Sequence, residues 1–147
     1  MDGRERTERQ IILVVDDDES VRATLRLVLE MEGYGVVEAA EGKEALARIH
    51  GAQDSLPSAI LTDWNMPNGM GGEALLGSVK RDPALANIPV VIVSGTADRS
   101  ALKAGAAQVV HKPFALDSLL SIVKSVCSEI GDLRSQMLAP VSVGGGG

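Results

Sequence analysis

The sequence predicts an α/β fold in which a five-stranded parallel sheet carries helices on both faces. Short apolar runs of strand length alternate five times with segments whose apolar residues recur at helical spacing. The first run, Ile11–Val15, is continuous and rich in β-branched residues, as expected of a strand buried on both faces. Because crossovers between parallel strands are right-handed, the intervening helices cover the faces of a single sheet.

The individual elements follow from the apolar spacing and from the residues that interrupt it. The first helix is predicted over 19–32 and ends at Gly33, since glycine accepts the left-handed conformation of a helix C-terminus. Two further helices follow strands 2 and 3, and the second of them stops before Pro83. Residues 98–104 allow at most two helical turns, and an apolar stripe predicts a final helix from about residue 115. The strands are predicted at 11–15, 35–39, 58–62, 90–93 and 107–111.

The chain length of 147 residues suits one domain, which we place at 11–130. Residues 1–10 are polar and are predicted to form a flexible N-terminal arm. The segment 131–147 is too short to bury a second core, so a single-domain protein is expected.

Two alternatives exist for the C-terminal segment. Leu133, Met137 and Leu138 would allow the last helix to continue past Gly131. The favoured expectation is a frayed tail, because Pro140 and four terminal glycines follow, and such a glycine run is typical of a flexible linker.

The composition excludes several classes of protein. A net charge of −6 argues against direct binding to nucleic-acid phosphates, which needs clustered Lys and Arg. Cys127 is the single cysteine, so an internal disulfide is impossible, which fits a reducing compartment. The sequence has neither the run of ~20 apolar residues that a membrane span requires nor a signal peptide. We therefore expect a cytoplasmic protein without a membrane contact.

Polar side chains stand at the carboxyl ends of four predicted strands. Asp16 and Asp17 follow strand 1, Asp63 follows strand 3, Ser94 follows strand 4 and Lys112 follows strand 5. In an open parallel sheet this edge is where ligands bind, so the side chains are expected to converge. Carboxylate oxygens suit Mg²⁺, and a hydroxyl and an ammonium group suit a phosphoryl group.

Five short sequence motifs, in their order along the chain, carry a resemblance to a known family. They are Leu13-Val14-Val15-Asp16-Asp17-Asp18, Thr62-Asp63-Trp64-Asn65-Met66-Pro67, Val93-Ser94-Gly95-Thr96, Ala104-Gly105-Ala106 and Lys112-Pro113-Phe114. With these pieces, over roughly residues 10–130, the chain resembles a response-regulator receiver domain, the CheY-like family of two-component signalling. The resemblance implies a flavodoxin-like doubly wound sheet with strand order 2-1-3-4-5.

The resemblance also implies roles for the acidic residues. Asp63 would be the phosphoacceptor. Asp17 would bind Mg²⁺ (or Mn²⁺) directly, Asp16 largely through water, and Asp63 through its carboxylate. Asn65 would offer its backbone carbonyl to the same ion.

Other matched positions would act on the phosphoryl group. Ser94 stands at the family's hydroxyl position and Lys112 at its lysine position. Asn65 and Thr96, which would lie near the phosphoryl group, influence how fast the acyl phosphate is hydrolysed. The Lys112–Pro113 peptide bond is expected to be cis.

The function that follows is a phosphorylation-dependent signalling switch. Asp63 would take a phosphoryl group from a histidine kinase or phosphotransfer protein, with Mg²⁺ present, and the change would be relayed to a downstream protein target. Such a domain takes part in its own phosphorylation and dephosphorylation but is not a conventional enzyme. A homodimer through helix 4, strand 5 and helix 5, or through the C-terminal helix, is also compatible with the resemblance.

Two other functions are weighed against this one. A receiver-like interaction module that works without phosphorylation is the main alternative. A flavodoxin-like cofactor carrier is disfavoured, because three aspartates after strand 1 would repel the phosphate of a flavin.

The chain departs from the family pattern near the expected output face. Val109 stands where the family usually has an aromatic switch residue. The segment from Ser94 to Lys112 is also about four residues short, roughly one helical turn, and the loss falls in helix 4. We expect the face formed by helix 4, strand 5 and helix 5 to be remodelled.

Overall fold

The computed structural model describes residues 9–52, 55–95 and 99–138, with side chains described as far as Ser128 and without that of Arg99. Within these residues five strands alternate with five helices. The strands are β1 (Ile11–Val15), β2 (Gly35–Ala39), β3 (Ala59–Thr62), β4 (Val90–Ser94) and β5 (Gln108–His111). The helices are α1 (Glu19–Met31), α2 (Gly42–Gly51), α3 (Gly72–Arg81), α4 (Arg99–Lys103) and α5 (Leu116–Leu138).

The five strands form one parallel sheet in the order β2-β1-β3-β4-β5. This confirms the predicted α/β class, the flavodoxin-like doubly wound architecture and the strand order 2-1-3-4-5. The register pairs Val15 with Ala39 on β2 and with Thr62 on β3, so the three strands end at the same level. Residues that follow β1 and β3 therefore begin side by side at the carboxyl edge.

Helices cover both faces of the sheet, as predicted. In one apolar layer, α2 and α3 pack against the sheet through buried residues such as Ile49 and Leu76. The opposite layer joins α1 and α5, where Leu29 and Val123 are both fully buried. Alternate side chains of each central strand enter the two layers, which explains why β1, β3 and β4 are almost entirely apolar.

The start and end of α1 follow from local chemistry. Asp18 is its N-cap, and the carboxylate accepts hydrogen bonds from Ser20 N at 2.8 Å and Val21 N at 3.3 Å. Gly33 ends the helix region with a φ of 97°, a left-handed value that an L side chain rarely adopts. The predicted role of Gly33 is therefore confirmed.

Helix α5 runs further than the favoured expectation. The expectation of a frayed tail does not hold for residues 131–138, because the helix continues without interruption through Gly131 to Leu138. A glycine inside a helix costs about 1 kcal/mol relative to alanine. In the sequence, the apolar residues Ile130, Leu133 and Met137 continue the helical spacing past Gly131.

The terminal segments lie largely outside the described part of the chain. The predicted N-terminal arm falls mostly within residues 1–8, and the glycine linker falls within residues 139–147, both outside the described residues. Among the helices that are described, none combines the length and apolar character needed to span a bilayer.

A methyl group at Gly72 should destabilise the fold. It would overlap the main-chain oxygen of Asp63 and approach the Cα of Trp64 to 3.0 Å, so the backbone after β3 would have to move. We expect Gly72→Ala to lower the free energy of unfolding by about 1–3 kcal/mol, as overpacking usually does.

Urea unfolding at neutral pH measures this change, and Gly51→Ala is the matched control. Gly51 closes α2, and no atom lies within 4 Å of the place that an alanine methyl group would take. Its substitution should be neutral or slightly stabilising. Equal losses in both variants would show that the close approach at Gly72 does not matter.

Candidate functional site

The carboxyl edge of the sheet gathers the polar residues that follow β1, β3, β4 and β5. The backbone ladder continues one residue past the strands, with Asp16 N donating to Ala39 O at 3.2 Å and Asp63 N donating to Val15 O at 3.0 Å. On the other side, Lys112 N donates to Ser94 O at 3.1 Å. These main-chain bonds fix where each functional side chain leaves the sheet.

Three carboxylates meet at this edge. One oxygen from each of Asp16, Asp17 and Asp63 can be chosen so that all three lie within 4.8 Å of one another. Asp16 is 3% exposed, whereas Asp17 and Asp63 are partly exposed. Such an arrangement of hard oxygen donors fits Mg²⁺ or Mn²⁺, which binds through one or two carboxylates and retains several waters.

Lys112 lies between two of these carboxylates. Its Nζ is 3.0 Å from Asp16 Oδ2 and 3.2 Å from Asp63 Oδ2. The lysine side chain is 28% exposed, against 4% for Asp16 and 13% for Asp63, so the contacts are largely shielded from water. The Lys112–Pro113 peptide bond is cis, as expected. Lys112 therefore lies with Asp16 and Asp63 at one edge of the sheet.

The buried carboxyl of Asp16 is electrostatically strained. Burial raises its pKa above the ordinary value, and the hydrogen bonds from Asp18 N–H and from Lys112 offset only part of the effect. Burial alone would lower the pKa of the Lys112 ammonium, but its bonds and charge interactions with Asp16 and Asp63 outweigh burial and raise it. One ammonium group thus contacts two members of a cluster of three carboxylates, and a divalent cation would balance the remaining charge.

Of the other predicted site residues, Asn65 and Ser94 are described by the structure and Thr96 is not. Asn65 N donates to Asp63 Oδ1 at 3.3 Å, which places Asn65 beside the central carboxylate. Ser94 is buried, ends β4 and lies next to Lys112 through the main-chain bond already described. Thr96 lies outside the described residues.

Sequence reasoning missed Glu41, which anchors the loop after Asp63. The Glu41 carboxylate caps α2 by accepting from Lys43 N at 2.8 Å and also accepts from Met70 N at 3.0 Å. Gly42 N donates to Met70 O at 2.8 Å, so one side-chain and one main-chain hydrogen bond join the loop after β3 to the start of α2. An acidic residue directly before a helix signals a cap, but nothing in the sequence points to the second contact.

Arg22 was also missed. Its NH1 donates to the main-chain oxygen of Asp16 at 2.7 Å. Because Arg22 lies on the polar side of an amphipathic helix, the sequence alone is equally compatible with a solvated side chain.

A doubly wound parallel sheet with an acidic cluster at its carboxyl edge defines the class of this domain, and comparisons with known proteins agree. The family model of the response regulator receiver domain matches residues 12–124. The chain therefore belongs to the response regulator receiver domain family.

Relatives of known name and structure are similar to most of this chain. The phosphate regulon transcriptional regulatory protein PhoB of Pseudomonas aeruginosa is 34% identical over 138 residues, covering 91% of this chain and 58% of that protein. The transcriptional regulatory protein PrrA of Mycobacterium tuberculosis is 34% identical over 139 residues, covering 90% and 56%. The chain thus spans somewhat more than half the length of these curated relatives. The crystal structure of a CheY-like receiver domain protein from Methanospirillum hungatei is 30% identical with a TM-score of 0.74, covering 83% of this chain and 96% of that one.

Replacing Lys112 should destabilise the fold in a pH-dependent way. Lys112→Met leaves the buried Asp16 carboxylate without its ammonium partner, so we expect a loss of roughly 1–3 kcal/mol at neutral pH without divalent cations. Asp16 has a raised folded pKa, so its ionised form destabilises the fold as pH rises above its unfolded value of about 3.9. The loss should therefore shrink as pH is lowered toward that unfolded value, because the folded protein takes up a proton on Asp16 over this range.

Urea unfolding at the two pH values measures the difference between variant and wild type. Lys124→Met is the control, because Lys124 is exposed on α5. A loss that stays constant with pH would contradict the proposed origin of the effect.

Proposed function

We propose that the domain is a phosphorylation switch that accepts a phosphoryl group on Asp63. The observation that carries the proposal is the position of the Asp63 carboxylate, which contacts Lys112 Nζ at 3.2 Å and shares a cluster with Asp16 and Asp17. A carboxylate is a poor nucleophile toward an anionic phosphoryl group unless the repulsion is relieved. The Lys112 ammonium, together with a divalent cation held by the carboxylate cluster, would supply that relief around the partly exposed Asp63.

The donor would be a phosphohistidine on a histidine kinase or phosphotransfer protein. In the transfer, the P–N bond to the donor imidazole breaks, a P–O bond to Asp63 forms, and the imidazole nitrogen takes up a proton. Lys112 would balance charge on the phosphoryl oxygens, and the Ser94 hydroxyl would donate a hydrogen bond to one of them. Such in-line transfer depends on positioning and charge more than on acid–base chemistry.

The acidic cluster supports a role for Mg²⁺ or Mn²⁺. Asp16, Asp17 and Asp63 would hold the ion, together with the backbone carbonyl of Asn65. When bound, the ion would neutralise charge shared by the carboxylates and the incoming phosphoryl oxygens. Asn65 and Thr96 would adjust the rate at which water later hydrolyses the acyl phosphate.

Phosphorylation of Asp63 is tested by mass. Incubation with acetyl phosphate and Mg²⁺, or with a phosphorylated donor protein, should add one phosphoryl group, as measured by intact mass spectrometry. We expect Asp63→Asn to abolish the addition and to leave the circular dichroism spectrum unchanged. Asp117→Asn, which alters an exposed aspartate in the first turn of α5, should be labelled like the wild type.

The outcomes separate the proposed switch from its alternative. Unchanged labelling of Asp63→Asn would move the acceptor elsewhere. If the wild type takes up no phosphoryl group from either donor, the chain acts instead as an interaction module that needs no phosphorylation.

The output of the switch would pass through protein contacts on the α4–β5–α5 face or on the extended α5. Among the described residues helix α4 is Arg99–Lys103, and Leu102 on it is 49% exposed. Val109 is half-buried and packs against the layer that contains α2 and α3. Since Val109 lacks an aromatic ring that could change rotamer, the response at this face should differ from that of aromatic-switch receivers. A downstream protein or a second copy of the chain in a homodimer would bind there.

Hydrogen exchange with and without phosphorylation tests this arrangement. We expect protection to change in the loop after Asp63 and near Lys112, where the phosphoryl group would lie. Over residues 99–109 the change should be small, because the coupling side chain is a valine. Asp63→Asn treated in the same way is the control, and a large protection change across 99–109 in the wild type alone would contradict the expectation.

A further inference from the structure

The guanidinium group of Arg22 contacts the backbone of the acidic cluster rather than its carboxylates. NH1 donates to the Asp16 main-chain oxygen at 2.7 Å, and Nε donates to Glu38 Oε1 at 3.1 Å. The Arg22 side chain is only 16% exposed. Arg22 therefore connects α1 to the end of β1 and to the edge strand β2 at once.

All four polar atoms of Asp16 have partners in this structure. The amide N donates to Ala39 O, Oδ1 accepts from Asp18 N, and Oδ2 accepts from Lys112 Nζ. The carbonyl oxygen of Asp16 lies beyond the last register pair of β1, and its donor is a side chain rather than a neighbouring strand. Arg22 supplies that donor.

This bond has a consequence for Asp17. The Asp16 carbonyl and the Asp17 N–H lie in one rigid peptide plane. A donor that fixes the direction of the carbonyl therefore also fixes the direction in which Cα of Asp17 leaves the strand. Asp16 and Asp17 supply two of the three clustered carboxylates, so the plane between them sets how those two groups are placed.

We propose that Arg22 is a positioning residue for the cation site. By holding the Asp16–Asp17 peptide plane, it presents both carboxylates to the ion without contacting the ion itself. Glu38 on β2 holds the guanidinium in place from the far side. The inference rests on the proposed function, since it assumes that a divalent cation binds to the cluster.

The sign of the charge effect makes the inference testable. Removing a positive charge close to a cation site should strengthen cation binding by simple electrostatics. Loss of the positioning bond should weaken it, and loss of an outer partner of a metal ligand typically costs 10–100-fold in affinity. The two explanations therefore predict opposite changes when the guanidinium is removed.

The experiment titrates the wild type and variants with MgCl₂. Calorimetry gives the dissociation constant, and emission from Trp64, the chain's one tryptophan and the neighbour of Asp63, gives an independent measure. Arg22→Met should bind Mg²⁺ about tenfold more weakly than the wild type. Arg22→Lys should lie between the two, because a single ammonium can reach the Asp16 oxygen or Glu38 but lacks the fork that serves both.

Arg26→Met is the matched control. Arg26 lies one turn further along α1 and donates to the same Glu38 at 2.8 Å and to Glu30 at 3.1 Å. Its removal takes away the same charge and disturbs the same carboxylate while leaving the bond to Asp16 in place. We expect its Mg²⁺ affinity to stay within about twofold of the wild type or to rise slightly.

Arg22→Met with wild-type or tighter binding would overturn the inference, as would an equal loss in Arg26→Met. Circular dichroism at the titration temperature checks that each variant is folded. If Arg22→Met does not fold, Arg22→Lys against Arg26→Lys carries the same comparison, and equal affinities would again overturn the inference. A wild type that binds no Mg²⁺ would instead refute the proposed cation site, and the positioning role with it.

Discussion

Repulsion among the carboxylates of Asp16, Asp17 and Asp63 is the constraint on which the rest of the site depends. Three negative groups lie within 4.8 Å of one another, and one of them is buried. Water alone cannot screen a charge from which it has been excluded, so the raised pKa of Asp16 is the physical cost of the arrangement. The ammonium of Lys112 offsets part of that cost, and a divalent cation at the proposed site would offset more of it.

The fold supports this strained arrangement by fixing every backbone segment that enters it. The parallel strands β1 and β3 end side by side, which brings Asp16 and Asp63 together. Two aliphatic layers hold the strands in register. The segments that leave the sheet are then tied down individually. Asp18 caps α1, and Glu41 joins the loop after Asp63 to the start of α2. Because these contacts lie outside the carboxylate cluster, they stabilise its geometry without neutralising its charge.

Much of this could be predicted from the sequence, because apolar runs of strand length alternate with helically spaced segments and end on polar residues. That pattern brings Asp16, Asp63 and Lys112 together, although Lys112 is 96 positions from Asp16 and 49 from Asp63 along the chain. The strand order required the family resemblance, since alternation alone allows more than one winding of the sheet. At α5 the sequence left two alternatives, because Gly131 suggests an end to the helix while the apolar spacing continues; the helix runs to Leu138.

The contacts of Arg22 and Glu41 could not be predicted for a different reason. Both are charged side chains at a helix end or on a polar helix face. At such positions the sequence is equally compatible with a side chain that is solvated and makes no contact. Their partners are backbone atoms of Asp16 and Met70. Because nearly all residues have the same backbone donor and acceptor, the residue type does not indicate which of these atoms a distant side chain will contact. Only the folded arrangement shows that these two side chains fix the loops around Asp63.

Anomalous diffraction from crystals soaked in MnCl₂ tests the central claim most directly. We expect one strong peak at the carboxyl edge of the sheet. It should lie within ordinary metal–oxygen distance of carboxylates that follow β1 and β3, including those of Asp17 and Asp63. Crystals that diffract well but show no peak there, or only peaks on other surfaces, would contradict the view that a cation balances this cluster.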